Sequence, residues 1–114
     1  MPNAIISVGS NIGDKLKYCQ DGIAALIRPG ISTLKAQSSF YKTAPVDYTD
    51  QDWFINAAVK IETELTPLKL LDQLKAIQQN AGRDSHTIRF GPRTLDMDII
   101  FYDDRIMRSD RLTL

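Results

Sequence analysis

Two aspartates, Asp96 and Asp98, stand two residues apart in the segment RFGPRTLDMDIIFYDD, which otherwise has the composition of a β-strand. Aspartate is a poor strand former, so its presence here suggests a chemical role. Successive side chains of a strand point to opposite faces, so both carboxylates share one face while Leu95, Met97 and Ile99 share the other. Because the apolar side is the one that becomes buried, the aspartates are predicted to project from the uncovered face of a sheet.

Neighbouring carboxylates that both stay ionised call for a nearby cation. Hard oxygen ligands suit Mg²⁺, which fills its other positions with water and phosphate oxygens. Arg83, Arg89 and Arg93 precede the aspartates, and guanidinium groups bind phosphate oxygens as bidentate donors. Carboxylates beside arginines are typical of a phosphoryl-transfer site. The spacing alone leaves a second interpretation open, in which these charges form surface salt bridges with a purely structural role.

The composition restricts the class of protein. The 114 residues are 43% hydrophobic and 25% charged, which predicts one soluble domain over residues 1–114. Basic and acidic residues balance at 14 each, so there is no general attraction to nucleic acid or membrane. Cys19 is the single cysteine and His86 the single histidine, which excludes an internal disulfide and a multi-histidine metal site. No signal peptide or spanning segment is evident, and we expect a cytoplasmic location.

The apolar periodicity predicts the element order β-α-β-β-α-β. Strands are predicted over residues 4–8, 31–43, 54–64 and 94–102. One helix begins at Asp14 and is stopped by Pro29-Gly30, and the other lies between a capping Thr66 and a closing Gly82. The predicted apolar stripes are Leu16, Cys19, Ile23, Leu26 and Ile27 in the first helix, and Leu68, Leu71, Leu74 and Ile77 in the second.

This order predicts an α+β fold, a ferredoxin-like βαββαβ sandwich in which a four-stranded antiparallel sheet carries two helices on one face. The other face stays open and can host a site. Phe54 and Asn56 have the register that brings them to the same open face as the aspartates.

The whole chain resembles the 6-hydroxymethyl-7,8-dihydropterin pyrophosphokinases of the folate pathway. The segment RFGPRTLDMDII is similar to the family signature R-W-G-P-R-x-L-D-L-D-I-L. Three further segments resemble the family's first strand, its second strand through its third, and the end of its second helix: AIISVGSNIGD, SSFYKTAPVDYTDQDWFINAAVKIET and LKAIQQNAGR. The resemblance implies a transfer of the terminal pyrophosphoryl unit of ATP to the hydroxymethyl group of the pterin, with release of AMP.

The resemblance also implies roles for individual residues. Asp96 and Asp98 would hold two Mg²⁺ ions that bridge ATP, the co-substrate, and bring the hydroxymethyl oxygen into line. The expected catalytic residues are Arg83, Arg93, Asp96 and Asp98. The expected nucleotide-binding residues are Gln78, Arg83, Arg93, Ile99, Arg111 and Thr113. The expected pterin-binding residues are Thr43, Ala44, Val46, Phe54, Asn56, Phe90 and Asp96.

The chain departs from the family pattern at Gln78, Ser85 and Phe90, where members usually carry Glu, Arg and Trp. It also ends at Leu114, before the P-H-containing segment and the R-x-F-V-L-x-P-L stretch of family members. An alternative is therefore a truncated or inactive relative that acts only as a nucleotide-binding, pterin-binding or protein-interaction domain.

Two further alternatives belong to other classes of protein that use this fold, an RNA-binding module and a small-molecule regulatory domain. Zero net charge and the lack of an R-G-F-x-F-V motif on a central strand argue against RNA. The expected partners are the two small-molecule substrates, without nucleic acid or membrane, and the sequence does not indicate an oligomeric state.

Overall fold

An antiparallel sheet and two helices make up the residues that the computed structural model describes, which are 2–44, 53–81, 95–103 and 105–106. The strands are β1 (Asn3–Ser10), β2 (Ser32–Gln37), β3 (Tyr41–Thr43), β4 (Phe54–Thr63), β5 (Asp96–Tyr102) and β6 (Arg105–Ile106). The helices are α1 (Lys15–Leu26) and α2 (Pro67–Ala81). The strand order is β2-β4-β1-β5-β6, with β3 also paired to β4, and every one of these pairs is antiparallel. The α+β class is confirmed.

The described residues form six strand segments, where the sequence predicted four strands. The predicted second strand is divided into β2 and β3, both of which pair with β4. The division begins at Ser38, whose side-chain hydroxyl, rather than its backbone carbonyl, accepts the Ala58 N–H at 2.9 Å. At the other side of the sheet, β6 returns along β5 after a turn at Asp103, where φ is 57°. Aspartate is one of the few residues besides glycine that adopt this conformation readily.

Both helices pack against one face of the sheet. A single core cluster joins apolar side chains from α1 and α2 with those that β1, β4 and β5 present to them. Leu95, Met97 and Ile99 are buried in it, as the alternation along this segment predicts. Neither described helix is long and apolar enough to cross a membrane.

The helix ends follow local chemistry. The side chains of Asp14 and Thr66 each accept a hydrogen bond, at 3.3 Å, from the backbone N–H three residues on, so both act as N-caps, as predicted for Thr66. At the end of α1, the buried Ser32 donates its hydroxyl hydrogen to the carbonyl of Leu26 at 2.6 Å. This bond satisfies one of the carbonyls that a helix leaves unpaired at its C-terminus.

Two of the predicted stripe positions are wrong. Leu16 and Leu68 are 44% and 53% exposed, although both were predicted to face the core. Each lies in the first turn of its helix. In α2 the buried residues are Leu70, Leu74 and Ile77. They lie on one side of the helix, because seven residues make about two turns, and Leu68 points to another side.

Two register shifts interrupt the sheet. In β2 the extra residue is Lys35, between Leu34 and Ala36. In β5 the extra residue is Ile100, between partners of Ile5 and Ile6. The second bulge shifts the alternation of side chains along β5 by one residue. On one face of the sheet, odd-numbered residues before the bulge are therefore followed by even-numbered residues after it.

Candidate active site

The uncovered face of the sheet carries a row of residues that crosses four strands. Gly9 of β1 is paired on one side with Asp96 of β5 and on the other with Asn56 of β4. Asn56 is in turn paired with Tyr41 of β3. Neighbouring strands lie about 4.8 Å apart, so about 10 Å separates the backbones of Asp96 and Asn56. Gly9 is the residue between them.

A second row lies two residues along the same strands. Asp98 is exposed and pairs with Ser7 of β1, which pairs with Ala58 of β4. Asp96 is half-buried, and Met97 between the two aspartates is buried on the helix side. The prediction that both carboxylates share the uncovered face is therefore confirmed.

These two carboxylates fit the ligand set of Mg²⁺. Within the described ranges they do not form part of a group of three or more His, Cys, Asp or Glu side chains that could enclose a metal ion. Mg²⁺ typically takes one or two carboxylates and completes its octahedron with water and substrate phosphate. The exposure of Asp98 leaves room for such further ligands, and all the donors are hard oxygens.

Asn56 is held in place by β3. Its Nδ2 donates a hydrogen bond to the Thr43 hydroxyl oxygen at 2.6 Å. The amide oxygen leans over β1, since a Cβ built on Gly9 would lie 2.6 Å from Asn56 Oδ1. Gly9 itself is buried although it lies on the uncovered face. Gly9 was not among the site residues predicted from the sequence. The signal that could have found it is a glycine inside an apolar strand, which often marks a close approach.

Phe54 and Ala44 complete the described part of the predicted pterin site. Phe54 is half-buried, pairs with Thr43, and has the same phase along β4 as Asn56. Ala44 is exposed and directly follows β3. The structure thus brings together Asp96, Gly9, Asn56, Thr43 and Phe54, and their roles toward a ligand stay predictions.

Gln78 connects α2 to the strand that carries the aspartates. Its Nε2 donates to the carbonyl of Leu74, one turn back, at 3.0 Å, and to the carbonyl of Met97 at 3.3 Å. Met97 stands between Asp96 and Asp98, so this amide bonds the backbone of β5 at the middle of the candidate metal site. An ionised glutamate, the usual family residue, has no hydrogen to donate to these carbonyls.

Of the other predicted nucleotide-binding residues, Ile99 lies in the described part of the chain. The Ile99 side chain is 7% exposed and belongs to the core, so a contact with nucleotide would have to come from its backbone. Six predicted site residues lie outside the described residues: Val46, Arg83, Phe90, Arg93, Arg111 and Thr113.

Cys19 belongs to the core beneath the site. It is fully buried on α1, and its Sγ lies 3.6 Å from the carbonyl oxygen of Ile55, to which the thiol donates. Burial raises the pKa of this thiol from 9.0 to about 11. The thiolate is the nucleophilic form, so this cysteine is unsuited to nucleophilic chemistry near neutral pH.

Known proteins match the chain along its length. Residues 5–114 match the family model described as 7,8-dihydro-6-hydroxymethylpterin-pyrophosphokinase (HPPK). The 2-amino-4-hydroxy-6-hydroxymethyldihydropteridine pyrophosphokinase of Haemophilus influenzae is 41% identical over the whole chain, which covers 71% of that protein. Its counterpart from Bacillus subtilis is 39% identical over 96% of the chain and 65% of its own length. A folate synthesis bifunctional protein of Arabidopsis thaliana is 39% identical over 96% of the chain, which spans 22% of that longer protein.

Proposed function

The chain belongs to the 7,8-dihydro-6-hydroxymethylpterin-pyrophosphokinase family, and from this premise we propose how it acts as a pyrophosphokinase of folate biosynthesis. It transfers the terminal pyrophosphoryl unit of ATP to 6-hydroxymethyl-7,8-dihydropterin and releases AMP. The pterin's hydroxymethyl oxygen bonds to the β-phosphorus of ATP and gives up its proton, while the bond from that phosphorus to the oxygen of AMP breaks. The observation that carries this proposal is the row Asp96–Gly9–Asn56 on the open face.

The pterin end of the row is built from β3 and β4. The Asn56 amide offers both a donor and an acceptor, which suits the amide-like edge of a pterin ring. Its hydrogen bond to Thr43 holds the amide in one place before any ligand arrives. Phe54, two residues away on the same face, offers an aromatic surface on which the ring can stack. Val46, Ala44 and Phe90 complete the proposed pterin site.

The metal end of the row is built from β5. Asp96 and Asp98 would hold Mg²⁺, two ions by our expectation, and the bound metal would neutralise charge on the phosphate oxygens during transfer. Because both carboxylates belong to one strand of a packed sheet, their backbone positions are fixed before substrates bind, which is what positional catalysis requires. Arg83 and Arg93 are proposed to clamp the phosphates, as guanidinium groups do elsewhere.

The nucleotide is proposed to lie beyond the aspartates. Gln78, Ile99, Arg111 and Thr113 are its proposed contacts, with Ile99 acting through its backbone because its side chain is in the core. The placement is supported by Gln78, which reaches the backbone of β5 between the two aspartates.

The sheet is proposed to be a ferredoxin-like sheet with additional strands. In a ferredoxin-like reading, β1, β2, β4 and β5 are the four principal strands, and β3 and β6 are additions at the edges. Residues 1–114 would act as one domain in the cytoplasm, with the two small-molecule substrates as partners.

Isothermal calorimetry and an AMP-release assay test the proposal. Binding of a non-hydrolysable ATP analogue should require Mg²⁺ and should be lost in Asp98→Asn. The same variant should lose turnover by about a hundredfold or more, the scale seen when one group that stabilises transition-state charge is removed. Its free energy of unfolding should stay within about 0.5 kcal/mol of the parent, because Asp98 is exposed.

Asp103→Asn is the matched control. Asp103 directly follows the same strand, and its Oδ1 accepts the Asn3 N–H at 3.1 Å, a bond that asparagine can retain. The control removes the same charge and should keep both Mg²⁺-dependent binding and turnover. Equal losses in the two variants would refute a specific role for Asp98. Nucleotide or pterin binding without AMP formation by the parent chain would instead support the binding-only alternative.

A further inference from the structure

We propose that Gly9 sets the length of the substrate that the site accepts, by allowing the ring-reading Asn56 to approach the metal-binding Asp96. The inference rests on the proposed function, because it concerns the same open face. Gly9 would determine specificity because it has no side chain, which leaves the space above its backbone free for the Asn56 amide.

The space above Gly9 is occupied by the Asn56 amide. An added Cβ would lie 2.6 Å from Asn56 Oδ1, closer than any ordinary contact of a Cβ atom. The next nearest atoms, Asn56 Cγ and the carbonyl oxygen of Ile55, would lie at 3.6 Å, which is ordinary van der Waals contact. The amide oxygen alone therefore occupies the volume that a side chain would need.

This arrangement brings the amide toward β5. Asn56 belongs to β4, and Gly9 lies on β1 between Asn56 and Asp96. The amide oxygen lies over β1, on the Asp96 side of Asn56, whereas the amide nitrogen points to Thr43 on β3. The separation between the group that reads the ring and the carboxylate that holds the metal is thus shortened by the missing side chain.

Two further features make the position specific. The backbone at Gly9 does not have a positive φ, unlike Gly13 and Gly30, so alanine can adopt its conformation without strain. The hydrogen bond from Asn56 Nδ2 to the Thr43 hydroxyl holds the other end of the amide at 2.6 Å. The amide is therefore fixed between a hydrogen bond on β3 and a bare backbone on β1, and Gly9→Ala changes one of these two constraints.

A substrate that bridges the row must match this separation. The pterin ring is held at one edge by Asn56, and its hydroxymethyl arm must reach the phosphate held at Asp96. A dihydropterin whose arm is longer by one methylene, the hydroxyethyl homologue, overshoots a site of this length. When Gly9→Ala displaces the amide oxygen from its place above β1, the site lengthens and its preference for the shorter arm should weaken.

The test compares kcat/KM for the hydroxymethyl and hydroxyethyl dihydropterins in the AMP-release assay with the 114-residue chain. One methylene is commonly discriminated by about 10-fold to 200-fold. We expect a preference in this range for the parent chain, and a preference at least about fivefold smaller in Gly9→Ala. Binding of the Mg²⁺–ATP analogue should be unchanged in this variant, because the nucleotide end of the row is untouched.

A double-variant cycle isolates the contact. In an Asn56→Ala background the Cβ at position 9 meets no amide, so adding Gly9→Ala should change kcat/KM less than twofold. Thr43→Val, which removes the hydroxyl that holds Asn56, should also reduce the arm-length preference, while Thr43→Ser should retain it. Thr43 is exposed on β3, so these two variants still test the inference if Gly9→Ala unfolds.

The outcomes distinguish failure of the length-setting role of Gly9 from failure of the proposed function. A Gly9→Ala variant that loses activity equally toward both substrates would overturn the length-setting role and leave the proposed function intact. A parent chain that forms no AMP with either substrate would overturn the proposed function, and this inference with it.

Discussion

Leu95 is the residue whose truncation most directly tests how the aspartates are held. It directly precedes Asp96, is 5% exposed, and packs so closely on α1 that a Cβ on Gly22 would lie 2.8 Å from its Cδ2. Leucine-to-alanine changes in cores cost about 2–5 kcal/mol, and the cost grows with the cavity that remains. Leu95 also lines a groove of about 370 Å³ between α1 and α2. The new space would open into this groove and admit water, which places the expected loss toward the lower end, about 2–3 kcal/mol.

Urea unfolding of Leu95→Ala measures this loss. Globular proteins gain about 2.1 cal/mol/K of entropy per residue on unfolding, so for a chain of this length about 2–3 kcal/mol lowers Tm by roughly 8–13 °C. Leu68→Ala is the matched control, because it removes the same atoms from a side chain that is 53% exposed. It should change the free energy of unfolding by less than about 0.5 kcal/mol. A loss below about 1 kcal/mol in Leu95→Ala, or equal losses in the two variants, would refute the claim that Leu95 anchors β5 beneath the helices.

Two further predictions concern protonation. Gln78→Glu replaces the donor to the Met97 carbonyl by a carboxylate whose ionised form is disfavoured there, so the folded-state pKa of the new group should lie above its unfolded value. The variant should be about 1–2 kcal/mol less stable than the parent at pH 7, and the difference should shrink below about pH 4; the exposed Gln79→Glu serves as control, and an equal difference at both pH values would contradict the bond. For Cys19, burial raises the folded-state pKa to about 11 from 9.0. The contribution of the protonated thiol to the free energy of unfolding is therefore present below about pH 9 and is lost as pH rises toward 11. Between these pH values, the free energy of unfolding of Cys19→Ala should decline less steeply than that of the parent, as measured by urea titration.

The alternation of side chains allowed the open-face site to be predicted from the sequence, but the features that depend on pairing between strands could not be. The phase of Leu95, Met97 and Ile99 relative to the two aspartates is a local property, and it gave the correct face for both carboxylates. The closeness of Gly9 to Asn56 depends on the register of β1 against β4, which a single sequence does not fix.

The errors have the same origin. The predicted second strand is divided because a Ser38 hydroxyl takes a position in the ladder, and propensity does not reveal such a substitution. Leu16 and Leu68 were assigned to the core from their spacing, but packing on the sheet decides which side of a helix is buried and which of its turns are covered. Leu68 is out of phase with the buried residues of α2, and Leu16 lies in the first turn of α1. The predicted arginines, Arg83 and Arg93, lie outside the described residues and stay predictions.

The bulge at Lys35 has a consequence for how copies of this protein meet. It lies in β2, at the end of the strand order, where a regular strand would offer its backbone donors and acceptors to another molecule. The extra residue disturbs the even spacing of those groups, and its ammonium group would have to be desolvated or face a like charge if a second β2 docked alongside. This edge of the sheet is therefore a poor site for the addition of a strand from another molecule. Even in a crowded cell, β2 would pair within its own chain rather than with a second copy.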